Sequence, residues 1–172
     1  HQLKDQMEIT LLMLEKNYDT VINRISAMDY DVYEDQHFYF QKDLSLASVY
    51  YAMQDTAVMQ AHADKARLLL EKKVETNPED PRYHAALGLA YAYLGKNQEG
   101  IDEGMRAAAL HSVEKDAAQG PIYLLNLAKI YTISGDQEEA IDRLEYLLSI
   151  PHAEYLWHLI SAPQLRLDPQ WD

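Results

Sequence analysis

Apolar residues recur at three- and four-residue intervals along most of the chain, and short polar turns separate the stretches that carry this pattern. The clearest stretch, residues 80–112, predicts two helices back to back. Asp80 suits an N-cap, and Pro81 suits the first helical turn, where a missing N–H costs nothing. Ala86, Leu87, Ala90, Tyr91 and Leu94 then form one buried stripe, and Gly95 is placed to end the helix in a left-handed conformation. A second helix, from about Gln98 to Leu110, is expected to turn Ile101, Met105, Ala108 and Ala109 inward. The small residues Gly88, Gly100, Gly104 and Ala107 would let two antiparallel helices approach closely.

The same spacing extends in both directions. Residues 3–15 predict a helix with Ile9, Leu12 and Met13 inward; after the turn Lys16-Asn17-Tyr18, a partner helix carries Val21, Ile22, Ile25 and Met28. Residues 29–36 hold Asp29, Asp31, Glu34 and Asp35 without helical periodicity and read as an acidic loop, a solvated linker or a dock for a basic peptide. Residues 38–53 predict a helix with Leu46, Ala47 and Tyr50 inward, and Gln54-Asp55 take the turn. A long helix over residues 56–76 should bury Val58, Met59, Ala63, Ala66, Leu69, Leu70 and Val74 before Asn77-Pro78 ends it. Beyond the connection at 111–120, Pro121 restarts a helix with Leu127, Ala128 and Tyr131. Gly135 ends it, Asp136 and Glu139 make a capping pair, and Ala140, Leu144, Leu147 and Leu148 complete the next helix. Tyr155, Leu156, Leu159 and Ile160 then form a short stripe suited to capping an open end.

Taken in order, Gly88 after Leu87, then Tyr91, Gly95, Gly100 and Ala107, resemble a tetratricopeptide repeat, with Gly104 where an aromatic is usual. Leu127, Ala128, Tyr131 and Gly135 repeat the signature; forty residues separate the two turn glycines, which places an insertion in the 111–120 connection. The resemblance implies an all-α superhelix, one domain over residues 1–172. Its four approximate repeats are 1–36, 37–79, 80–120 and 121–151, with a cap and tail at 152–172. The segments NPEDPRYHAALGLAYAYLG, EYLLSIP and LRLDPQWD also resemble the C-terminal repeat region of large bacterial multidomain signalling and regulatory proteins. That likeness, and a first residue that is His rather than Met, lead to the expectation of a fragment of a longer chain. In such repeats the first helix of each pair lines a concave groove. Here that gives Gln41, Leu44, Ser48 and Tyr51; Arg82, Ala85, Leu89 and Tyr93; and Leu125, Asn126, Lys129 and Ile133. The expected peptide-binding set is Tyr51, Arg82, Leu89, Tyr93, Leu125, Asn126, Lys129 and Ile133, with Arg82, Asn126 and Lys129 available to clamp a carboxylate.

Composition narrows the classes. The chain has 172 residues, 48% hydrophobic and 25% charged, enough to bury a core. A formal charge of −13 argues against binding a phosphate backbone, so no nucleic-acid partner is expected of this region. No stretch of eighteen apolar residues occurs, so no membrane insertion is expected. Zero cysteines exclude disulfides and thiolate metal sites. His152, Glu154 and His158 come near one another but read as surface positions of a cap helix, and His84 as a packed core residue. Gly100 and Gly104 form G-x-x-x-G beside Asp102 and Glu103, which fits helix packing and not a membrane dimer. No nucleophile motif, glycine-rich phosphate loop or paired-acid arrangement stands out. The sequence therefore predicts no catalytic role and no cofactor, and a protein or peptide partner of unstated identity, with no oligomer required. The alternative is a regulatory or sensor domain of a larger bacterial signalling enzyme or transcription regulator. The cytoplasm is the favoured compartment, with a bacterial extracytoplasmic location as the other option.

Overall fold

The computed structural model describes residues 2–34 and 39–150, with side chains from residue 8 onward. Eight helices dominate the described residues: α1 (Gln2–Leu14), α2 (Tyr18–Ser26), α3 (Lys42–Ala52), α4 (Thr56–Thr76), α5 (Pro81–Tyr93), α6 (Asn97–Leu110), α7 (Gly120–Ser134) and α8 (Gln137–Ser149). The described residues are all-α apart from a two-stranded hairpin, β1 (Val32–Glu34) and β2 (Tyr39–Gln41), between α2 and α3. Neighbouring helices pack in sequence order, and α5 also touches α3 and α7.

One turn is used four times. Lys16, Gln54, Gly95 and Gly135 each take a left-handed conformation, with φ of 56°, 60°, 74° and 82°. The residue after each donates its N–H to the carbonyl five positions back: Asn17 to Leu12, Asp55 to Tyr50, Lys96 to Tyr91 and Asp136 to Tyr131, at 2.9–3.0 Å. These are Schellman-type closures, which satisfy carbonyls a helix end otherwise leaves open. Two of the following helices start on a side-chain cap. Asp55 accepts from the Val58 N–H at 3.2 Å, and Asp136 from the Glu139 N–H at 3.4 Å. Asp80 caps α5 in the same way, accepting from the Arg82 N–H at 3.0 Å.

The turn also sets which residues face the seam of each pair. Positions five, nine and twelve after it are Val21, Ile25 and Met28; Met59, Ala63 and Ala66; Gly100, Gly104 and Ala107; and Ala140, Leu144 and Leu147. All of these are buried or half-buried. The expected inward positions Leu69, Met105, Ala109 and Leu148 are exposed instead, because the seam of each helix lies on a neighbouring face. In α6 that face holds the glycines, and Met105 points out.

At 39–41 the hairpin departs from the start of the helix expected over 38–53, and at 32–34 from the acidic loop expected over 29–36; residues 35–38 lie outside the described residues. Val32 pairs with Gln41, Tyr33 with Phe40 and Glu34 with Tyr39 in an antiparallel ladder. Its alternating side chains serve two cores, as strand geometry requires. Phe40 packs with Met13, Val21, Ile25, Leu46 and Val49, and Tyr30 meets its ring edge-on at 5.8 Å. Tyr39 lies against Ala66, Leu70, Ala86, Leu87 and Ala90, and meets Tyr83 edge-on at 5.4 Å. Two acids of that segment, both exposed, have partners within the chain: Glu34 pairs with Lys73 at 3.1 Å and accepts from the Tyr83 hydroxyl at 3.1 Å, and Asp31 pairs with Lys42 at 3.3 Å. The cap and tail expected at 152–172, including His152, Glu154 and His158, lie outside the described residues.

Candidate functional site

Three helices, α3, α5 and α7, deliver the expected groove residues, and the structure sorts them into three groups. Tyr51, Leu89, Tyr93 and Ile133 come together with Leu44, Ala47, Met59 and Ala63 in one aromatic and apolar cluster. Tyr51 and Tyr93 face each other across the α3–α5 contact, ring centres 5.5 Å apart and planes tilted by 51°. Tyr51, Leu89 and Ile133 are half-buried. Tyr93 is only 4% exposed, so it supports the strip from beneath and is not the open aromatic contact expected of it. α3 and α4 close over its ring with Ala47, Met59 and Ala63.

Asn126 and Lys129 form the second group. With Ile133 they occupy the i, i+3 and i+7 positions of one face of α7, and all three are half-buried. Burial pushes the Lys129 ammonium down to about 8. No described residue pairs with it.

Arg82 and Leu125 make up the remainder. Arg82 sits at the start of α5, seven residues and so about 10 Å along the axis from Leu89. Its guanidinium bonds Asp80 twice, from Nε at 3.0 Å and Nη2 at 2.6 Å, and lies 5.5 Å from the Tyr83 ring centre. Burial opposes ionisation of Asp80, but Arg82's bonds and charge outweigh it and hold the carboxyl below its usual range. Leu125 is buried against Leu147, Leu144 and Ile150, in the α7–α8 contact and not on the groove. Its i+1 neighbour Asn126 is half-buried on the face of α7 that carries Lys129 and Ile133, since adjacent residues on a helix do not share a face.

Several placed side chains escaped the sequence reading. Glu71 accepts from Arg67 at 2.8 Å and from the Tyr91 hydroxyl at 2.9 Å. Arg67 is the larger influence holding Glu71 below its ordinary range, while burial and then Glu71 push the Tyr91 phenol up to about 12. His62 Nδ1 lies 2.7 Å from Asp43, and its ring stacks on Tyr50 with centres 5.6 Å apart. These bonds tie α4 to α3 and α5 behind the strip. A separate cavity of about 430 Å³ opens beside the α4–α5 turn, lined by Asn77, Pro78, Asp80, Arg82, His111, Gln119 and Tyr123 among others.

Among the described residues, no group of three His, Cys, Asp or Glu side chains could hold a metal ion, and no helix is long and apolar enough to cross a membrane. The chain matches no family model, no curated protein and no solved structure.

Proposed function

We propose that this chain is a non-catalytic, tetratricopeptide-like interaction module that binds a peptide or partner helix along the strip formed by α3, α5 and α7. The supporting observation is the convergence of Tyr51, Leu89 and Ile133, half-buried and from three alternate helices, on one apolar surface with Tyr93 beneath it. Alternate helices sharing one face is the geometry by which stacked helix pairs make an extended binding surface. The fourfold recurrence of the same turn supports the repeat assignment. Tyr51 supplies contact area at little rotamer entropy, Leu89 and Ile133 supply apolar depth, and Asn126 and Lys129 add polar recognition at the α7 end. The strip suits an extended or helical segment with apolar anchors.

The test is to capture a partner with the chain, identify it, and titrate it against variants. Tyr51→Ala should weaken binding by more than about 1 kcal/mol, since few anchors carry most of an interface. Glu99→Gln, on exposed α6 surface, should leave affinity unchanged. Equal affinity for Tyr51→Ala and the parent chain, with helicity intact, would place the interface elsewhere. A second reading, a ligand-sensing domain of a larger bacterial regulator, draws on the open depression of about 430 Å³ beside the α4–α5 turn. Saturable binding of a small molecule that protects Tyr123 and His111, and leaves Tyr51 unaffected, would favour it.

A further inference from the structure

His84 is 6% exposed in the first turns of α5, and both of its ring nitrogens face acceptors. Nδ1 lies 2.5 Å from Oε2 of Glu103 on α6. Nε2 lies 2.8 Å from the carbonyl oxygen of Pro78, in the turn that ends α4. A neutral imidazole has one N–H and so can donate to only one of these. Satisfying both contacts takes one more proton, carried either on the ring as imidazolium or on Glu103, which then donates to Nδ1. Whichever atom carries it, the pair holds that proton jointly. Its loss sets lone pair against lone pair at one of the two contacts, in a place water does not reach freely.

We propose that His84 and Glu103 form a one-proton latch on the central helix pair, closed while the proton is held and opened when it leaves. The latch joins three pieces: α5, α6 and the Asn77–Asp80 turn, itself closed by the Asp80 N–H on the Asn77 carbonyl at 3.1 Å. That turn forms one wall of the 430 Å³ cavity, so opening the latch moves the wall. The charged groups on the elements packed around the pair are engaged with partners of their own. Asp80 stands close enough for His84 to help keep its carboxyl low, after the larger influence of Arg82. Glu79 pairs with Arg106 across the same turn at 2.7 Å, and Arg82 is engaged with Asp80. On α4, Glu71 is held by Arg67 and Tyr91. On α3, Lys42 and Asp43 are engaged with Asp31 and His62. Across the cavity on the α7 side, the Tyr123 ring lies tilted by 52° against His111, whose Nε2 faces Asp116 at 3.0 Å.

The sign follows from the proton count. The closed latch holds one proton more than the open one, so raising the pH favours opening. The latch therefore weakens on the alkaline side. His62 and His111 serve as internal controls, because each faces a single carboxylate through one ring nitrogen and can donate there while neutral.

The experiment is nuclear magnetic resonance on the full chain with ¹⁵N-labelled histidine, following ring nitrogens and backbone-amide protection from pH 5 to 10. At the acid end, His84 should show two bonded nitrogens. As its signals titrate, the protection factor of the Asp80 amide should fall by about tenfold or more, in step with His84 and not with His62 or His111. Glu103→Gln removes the need for the extra proton, since its amide can donate to neutral Nδ1 while Nε2–H still donates to Pro78. In that variant, Asp80 protection should stay constant within about twofold over the same range. Constant protection in the parent chain, or a loss that tracks His62 or His111, would overturn the latch. So would the same loss in Glu103→Gln. The parent-chain titration decides the matter by itself if that variant does not fold.

Discussion

The first helix pair, α1–α2, and the central pair, α5–α6, share a turn and a register yet close their seams in opposite ways. Val21 and Ile25 of α2, and Met28 just past its end, hold the seam positions and pack with Met13, Ile9 and Leu12 as side chain against side chain. In α6 the same positions hold Gly100, Gly104 and Ala107. There the meeting is backbone against backbone. A Cβ added to Gly88 would sit 2.8 Å from the Gly100 carbonyl oxygen, and one added to Gly100 would sit 2.9 Å from the Gly88 oxygen. The thin seam leaves room for α7 to press in, with Ile130 Cδ1 2.7 Å from where a Cβ on either Gly88 or Gly104 would be. Register and side-chain volume are thus set separately. The turn decides which positions face inward, and the residues there decide how close the helices come.

The largest expected effect breaks the thin seam. Gly88→Ala should destabilise the protein by about 2 kcal/mol: overpacking costs about 1–3, the obstruction includes a carbonyl that cannot rotate aside, and alanine's better helix propensity returns up to about 1. Ile25→Val at the first pair tests the opposite sensitivity. Removing one methylene there should cost about 1 kcal/mol through lost contact and residual cavity. Denaturant melts of the two variants decide the matter. A neutral or stabilising Gly88→Ala would mean that the seam has slack, and the contrast between the pairs would fail.

Much of the fold was legible because it is written locally. Asp80 with Pro81, Asp55, and the turn glycines act through bonds within a few residues, so the bounds of α4 and α5 follow from them. What escaped was decided at longer range. Strands of three residues carry too little pattern to declare themselves, and the hairpin exists because Phe40 and Tyr39 each find a core made by distant helices. Met105 was expected inside on hydrophobicity, but the close approach at Gly100 and Gly104 leaves no room for it on that face. At the candidate site, the repeat resemblance named Tyr51, Leu89 and Ile133 together, and they share one cluster. The resemblance could not show that Tyr93 would be covered, since the covering residues Met59 and Ala63 come from α4. The His84–Glu103 contact joins residues nineteen apart and has no sequence signature beyond a buried histidine near an acid.

The smallest effect sharpens the comparison at the turn itself. The first pair uses Lys16 in the left-handed conformation, and the central pair uses Gly95. A side chain in that conformation brings its Cβ too close to the following carbonyl oxygen, at a cost of about 1–2 kcal/mol; glycine escapes this but loses more freedom on folding. The two terms partly cancel, so Lys16→Gly should raise stability by about 0.5–1 kcal/mol. Gly95→Ala should lower it by a similar amount, and the comparison is clean, because nothing lies within 4 Å of the Cβ that alanine would add at Gly95. Any loss there is conformational and owes nothing to packing. Opposite shifts in melting temperature, with unchanged denaturant slopes, would show that the two turns do the same job with unequal residues. If both substitutions destabilise, Lys16 contributes through its side chain, and the shared turn does not by itself set the register of the first pair.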